Sequence, residues 1–394
     1  MALDKLIQLY LALMIGSVFN IGPLYLAFVA FVLAGRMFAN EKIGWSKIEL
    51  QFIFIILIGM LLSYAYIIRY PEAYQDSYNI YLANRKVIIE ILFALAVYNY
   101  LKFQDLDYIT QTLFFAILFN TIVGTIEVVL KFPNRISMLF PEPSAAGYFY
   151  LFIFFIALNK LKEPPLYNYV SKYFMVLGLA IGSKAQIILL FFVGMLKYFT
   201  PLKVLGYIIF VSTILYLFWD DLMKIEAIKY NVRVFELYWQ KGLAGLRSNE
   251  YGVWGTYVTR ISAIEGAIKC IIEHPFGIGF GGFNSWFPTN MADAGFSSEE
   301  TDEILQGILY ASPKSNLFEF FVATGVFGIA LYISWFIEFW KIRKKYEYLF
   351  QSFVTLTLAS AFIELNPMYL YIMILFILKE KEEEREEELE ESKE

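Results

Sequence analysis

The chain has 394 residues, 59% of them hydrophobic and 19% aromatic, with a mean hydropathy of +0.56 and a net charge of −5. Its apolar runs are apolar all round rather than striped, which excludes a soluble helical bundle. A single cysteine, Cys270, excludes an internal disulfide framework, and with a single histidine, His274, no soft-metal ligand set is expected.

In chain order, the apolar runs predict membrane spans at 6–19, 21–39, 48–68, 86–103, 108–130, 145–160, 167–182, 184–199 and 202–219. Three more follow at 316–340, 348–364 and 367–378. Runs of about 20 residues match a hydrocarbon core roughly 30 Å thick. The first run lacks a small-x-small cleavage site, and Asn20-Ile21-Gly22-Pro23 leads straight into the second, so a tight turn is expected there rather than the end of a signal peptide. The expected fold is an all-α integral membrane protein of about 12 transmembrane helices with one long helical extracytoplasmic loop. Its parts are spans over 1–219, a loop domain over 220–315, spans over 316–378 and an acidic cytoplasmic tail over 379–394.

Charge orients these parts. With two short spans meeting at Gly182-Ser183-Lys184, the loops holding Arg36, Lys47, Lys102, Lys160, Lys172, Lys203 and the Lys341–Lys345 run share one side. That side is cytoplasmic by the positive-inside rule. Both termini then lie inside, 220–312 lies outside, and the chain sits in the cytoplasmic membrane. One long helix over 167–199 would instead bury Lys184 and send Lys341–Lys345 outside. The tail Lys379–Glu394 holds ten Glu against four basic residues, so without it the net charge of −5 becomes +1. The acidity belongs to this tail, which is expected to be solvated, as a helix or as disordered chain.

Charges in apolar spans are costly and therefore informative. Glu90, Glu127, Lys184 and Glu364 fall near the outer ends of their spans, and Arg69, Arg85, Lys131, Arg135 and Glu142 in short outer loops. Basic residues there run against the orientation rule and point to an anionic substrate; structural pairing with the nearby Glu side chains is the competing reading. Inside 220–312, Leu222–Leu243 and Thr256–Glu273 carry apolar residues at helical spacing interleaved with Lys224, Lys229, Arg233, Arg260 and Lys269. Such helices suit the headgroup region of a bilayer, where they would cover a site.

Four stretches carry a resemblance. They are Phe140-Pro141-Glu142-Pro143-Ser144-Ala145-Ala146-Gly147; Gly182-Ser183-Lys184; Arg260-Ile261-Ser262-Ala263 followed by His274-Pro275-Phe276-Gly277-Ile278-Gly279-Phe280-Gly281-Gly282-Phe283; and Pro313-Lys314-Ser315-Asn316 followed by Thr324-Gly325-Val326-Phe327-Gly328. Together, in this order and on this span layout, they resemble the bacterial O-antigen ligase and polysaccharide polymerase superfamily. The fold so implied is that of the membrane C-type glycosyltransferases. The resemblance implies transfer of a glycan from a polyprenyl-diphosphate carrier to an acceptor hydroxyl, without metal or other cofactor. Implied partners are the lipid-linked glycan donor, the glycan acceptor and the bilayer, with a chain-length regulator and a flippase beside them and no nucleic acid.

Developing charge on a leaving diphosphate calls for Arg, a planar bidentate donor, or Lys, a point charge. Arg260 occupies the position of the family's outer-loop arginine, and Lys184 stands where the family has Arg after Ser. The ligases have His-Asn where this chain has Lys314-Ser315-Asn316, so the base is missing from that stretch. Glu142, between two prolines, is the expected substitute; a helix-start turn capped by Ser144 is its alternative reading. Expected catalytic residues are Glu142, Arg260 and Lys314, and expected substrate contacts Lys184, Ser144, Arg69, Ser315 and Asn316. The absent His favours a polymerase over a ligase. A transporter is the alternative from another class, but its halves would show internal repeats and polar groups at the midplane.

Overall fold

The computed structural model describes residues 2–17, 26–32, 45–70, 77–131, 135–140, 143–181, 216–224, 226–247, 255–291, 311–362 and 368–392, with isolated positions between 186 and 213. The expected spans 184–199 and 202–219 lie largely outside the described residues, as does much of 21–39. Among the described residues the chain is helical, without strands. The first helices are α1 (Ala2–Ile15), α2 (Lys47–Arg69), α3 (Ser77–Leu101), α4 (Leu106–Lys131), α5 (Pro143–Lys160) and α6 (Pro165–Leu177), the last continued by a 3-10 turn, Gly178–Ile181. After them come α7 (Glu226–Arg247), α8 (Gly255–Glu273), α9 (Gly282–Met291), α10 (Asn316–Ile342), α11 (Glu347–Phe362) and α12 (Met368–Glu391).

Three of these, α2, α4 and α10, are long and apolar enough to cross a membrane, and α5 is a shorter apolar helix. Local chemistry starts them cleanly. Ser46 caps α2 in a capping box, its hydroxyl accepting from Glu49 N at 3.3 Å while Glu49 Oε2 accepts from Ser46 N at 2.7 Å. Ser315 caps α10 by accepting from Phe318 N at 3.2 Å.

The apolar half of α12 is the spine of the bundle. Residues Met368 to Leu378 are all buried, although this run is too short to meet the length of a span. Tyr371 stacks on Phe152 of α5 with centroids 4.1 Å apart, and its hydroxyl donates to Ile15 O of α1 at 3.1 Å. Around it α5 packs on α11, α3 on α12 and α2, and α4 on α1 and α6. Phe52, Trp335 and Phe320 stack in series between α2 and α10.

One end of the bundle collects the charges of the loops expected to be cytoplasmic, and here the tail departs from the sequence reading. It continues α12 without a break, and its first turns dock instead of being solvated. Tyr98 donates to Glu380 at 2.7 Å, Tyr348 donates to the buried Glu382 at 2.6 Å, and Lys160 pairs with Glu382. Lys345 pairs with Glu386, and Glu338 holds Lys47 at 2.8 Å and Lys379 at 3.5 Å. Basic loops and an acidic helix neutralise each other, so an isolated reading of the tail's composition misjudged its environment.

A second departure concerns the loop between α8 and α9. Gly325 has φ 56 and ψ −140 inside α10, which breaks the helix there. The freed backbone groups are taken up by the glycine-rich loop: Ile278 N donates to Val322 O at 3.0 Å, Gly279 N to Ala323 O at 2.9 Å, and Val326 N to Pro275 O at 2.8 Å. On its other side the loop meets α2 and α3. Asn84 Nδ2 donates to Phe280 O at 2.9 Å and to Ser63 Oγ at 2.9 Å, and Phe280 lies against Gly59. The expected span at 316–340 is therefore two helical halves stitched by a loop that packs beside the apolar stretch of α2. Irregular backbone among membrane-spanning helices is tolerated where protein satisfies it in this way.

Candidate functional site

The opposite end of the bundle gathers the start of α5, the start of α10 and the end of α11. Tyr148 of α5 is fully buried; its hydroxyl lies 2.5 Å from Ser360 Oγ of α11 and reaches the Asn316 side chain. Ser315 donates to Ser360 O at 2.8 Å. The stretch Lys314-Ser315-Asn316 is thus held against the helix opened by Pro143-Ser144. Ser315 spends its hydroxyl on capping α10 and on Ser360, so it shapes the turn. Lys314, half-buried, has φ 53, a left-handed conformation costing an ordinary side chain about 1–2 kcal/mol. A strained lysine next to a buried polar cluster is the arrangement expected of a site whose geometry matters more than its local stability.

The loop leading to α5 is organised by Glu127. Its carboxylate accepts from Met138 N at 2.6 Å, Ser137 N at 2.8 Å and Lys131 Nζ at 2.5 Å. Arg135 Nε donates to Ile181 O at 2.8 Å, which ties the end of the α6 turn to the same loop. Glu127 and Lys131 therefore form the structural ion pair that the competing reading expected, whereas Arg135 is spent on a backbone carbonyl. Glu142 and Lys184 lie outside the described residues; their described neighbours Phe140, Pro143 and Ile181 belong to this end of the bundle. Ser144 is in the first turn of α5, and its side chain is outside the described set.

Arg69 and Arg260 occupy other places. Arg69 ends α2, exposed, with its guanidinium 5.6 Å from the Tyr70 ring. Beside it His274 packs against the rings of Tyr66 and Tyr70, 6.0 and 5.7 Å away and near perpendicular. Burial holds the His274 imidazole below its ordinary value; Glu273 opposes this and Arg69 adds to it. Arg260 is exposed on α8, seven residues before the buried Ala267 that packs toward α10. Among the described residues no hydrogen bond or ion pair joins Arg260 to the Lys314–Asn316 turn. Asp221, ahead of α7, binds Lys224 at 2.6 Å.

Sequence reasoning missed Tyr148, Ser360, Glu319 and Tyr369. Glu319, in the first turn of α10, lies near Glu90 of α3, and Tyr369 of α12 is near both. Glu319 was visible as a lone charge in an apolar run. Tyr148 and Ser360 gave no signal, because a tyrosine and a serine in a span read as packing until their partner is known. Comparison with known proteins found no matching family model and no matching curated relative.

Proposed function

We propose that the chain is an integral membrane glycosyltransferase that polymerises polyprenyl-diphosphate-linked oligosaccharide units into a surface polysaccharide. One observation carries the reading: the turn Lys314-Ser315-Asn316 meets, through Tyr148 and Ser360, the helix that follows Glu142. Two of the four motif stretches, far apart in sequence, thereby share one end of the bundle, next to the loop that Arg135 ties to the α6 turn preceding Lys184. In this reading the acceptor hydroxyl attacks the anomeric carbon and gives its proton to Glu142. The bond from that carbon to the diphosphate oxygen breaks, and the lipid diphosphate leaves, its charge met by Arg260, Lys184 and Lys314. The fold is then a twelve-span, C-type arrangement in the cytoplasmic membrane, termini inside and 220–312 outside.

The deciding experiment is to delete the gene and size the surface glycan. Single repeat units would support the polymerase. Full-length chains stranded on the carrier would identify a ligase, and an unchanged glycan would reject both. Purified protein given lipid-linked substrate should turn over in excess EDTA. Loss of activity restored by Mg²⁺ would replace the charge clamp with a metal site. Sidedness is checked in intact cells, where Ser248→Cys should react with an impermeant maleimide and Ser392→Cys should not.

A further inference from the structure

Helix α7 has three faces. Val234 is buried, and Tyr238, from the same side, hydrogen-bonds Glu265 of α8, a contact that pushes the phenol up to about 12. Lys229, Arg233, Glu236 and Gln240 form an exposed polar face, the spacing of four and three placing them on one side. Between these faces runs an apolar stripe of Val232, Phe235 and Trp239, spaced three and four apart. Phe235 is 64% exposed and Trp239 79% exposed, and their rings stack 6.1 Å apart. The stripe stops at Gly242, where φ 60 and ψ −153 break the helix. A water-facing helix has no use for two stacked, exposed aromatic rings.

The surface beside them indicates what covers this stripe. On α8, against which α7 packs, and in the turn that follows it, Ile268, Ile272 and Phe276 are exposed at intervals of four, Ile272 at 73%. Phe276 lies 6.2 Å from Phe327 of α10, and Phe327 lies 6.1 Å from Phe54 of α2. Those two helices are long and apolar enough to cross a membrane, and they carry exposed apolar side chains, Leu57 and Leu61 of α2 and Ile333 of α10 among them. The stripe runs on from that exposed apolar surface, and α7 sits on α8. Charge agrees: α7 carries Lys229, Arg233, Lys241 and Arg247 against Glu226 and Glu236.

We infer that α7 lies in the membrane interface, with Phe235 and Trp239 sunk below the headgroups and Lys229 and Arg233 binding anionic lipid phosphates. Helix α7 is then held at headgroup height, where a lipid-linked substrate would pass. This holds whether or not the chain transfers glycans. Full-length protein carrying Cys270→Ser is spin-labelled through Phe235→Cys, Trp239→Cys, Glu236→Cys or Gln240→Cys, one at a time. Each sample is placed in nanodiscs of phosphatidylglycerol and phosphatidylethanolamine.

Oxygen should relax labels at 235 and 239 several-fold more than a water-soluble nickel chelate does, with the reverse order at 236 and 240. Water-like behaviour at all four positions would overturn the inference. Shielding of 235 and 239 from both reagents would also overturn it, showing a protein surface or a second copy there. Adding Lys229→Glu with Arg233→Glu should move both labels toward water; unchanged depth would remove the headgroup contact. If Cys270→Ser fails to fold, brominated lipid decides with the native cysteine present. Its quenching of tryptophan emission should be weaker in Trp239→Phe than in the wild type, and equal quenching would overturn the inference.

Discussion

At the scale of single residues, His274 shows how a tempting side chain acquires a structural task. Its imidazole is held below the ordinary value first by burial against Tyr66 and Tyr70, with Arg69 adding to the effect and Glu273 opposing it. The folded protein therefore binds that proton less readily than the unfolded chain. The stability contributed is complete above the unfolded value of about 6.5 and is lost as pH falls through the folded one. Melting temperature in detergent should drop between pH 7 and 5 more steeply in the wild type than in His274→Gln; parallel curves would refute this. Glu142 makes the opposite prediction. As a base deprotonating a sugar hydroxyl, it should lose about 10²–10⁴-fold in turnover on Glu142→Gln, with melting unchanged. A capping role would lower the melting temperature and spare turnover per folded molecule.

At the scale of elements, the stitched break in α10 is the feature that most constrains this chain. Gly279 has φ 74, and a Cβ there would stand 2.2 Å from Ser63 N and 2.4 Å from Ser63 Cα, both backbone atoms of α2. Nothing flexible can yield. Gly279→Ala should destabilise by at least the upper end of the about 1–3 kcal/mol usual for overpacking. Gly206→Ala, with nothing within 4 Å of an added Cβ, should be harmless. Equal melting temperatures for the two variants would mean that the loop does not hold this position. Asn84→Leu should cost about 1–3 kcal/mol, because Phe280 O loses its closest donor while remaining buried. A native melting temperature for that variant would show that the carbonyl finds another donor.

At the scale of the whole molecule, the bundle is closed at its basic end by its own acidic tail. Glu382 alone accepts from Tyr348 and pairs with Lys160, bringing together the tail, the start of α11 and the end of α5. Truncation after Leu378 should therefore lower the melting temperature, and Glu382→Ala should reproduce part of that loss, about 1–3 kcal/mol. Full stability of the truncated protein would make the tail a passenger. A drop reproduced by Glu382→Ala would place the effect in this contact rather than in the tail's overall charge.

Much of the helix layout was legible in the amino-acid order, because a run of apolar residues matched to a bilayer's thickness has few alternatives to a helix. The expected spans 48–68, 108–130, 145–160 and 316–340 differ by only a few residues from Lys47–Arg69, Leu106–Lys131, Pro143–Lys160 and Asn316–Ile342. The start of α2 is written locally too, in Ser46 and Glu49 three residues apart. Only the tertiary structure decided that α10 is broken, that the glycine loop fills the break, that the tail docks and that Tyr148 faces Asn316. Each of these joins residues remote in the chain, such as Asn84 and Phe280. A glycine at positive φ, or a glutamate in a charged tail, has the same local sequence whether it meets water or a partner from another helix. Solvent and span length act on each segment alone and so leave a pattern in it, whereas the pairing of segments is settled by packing, to which no single segment holds the key.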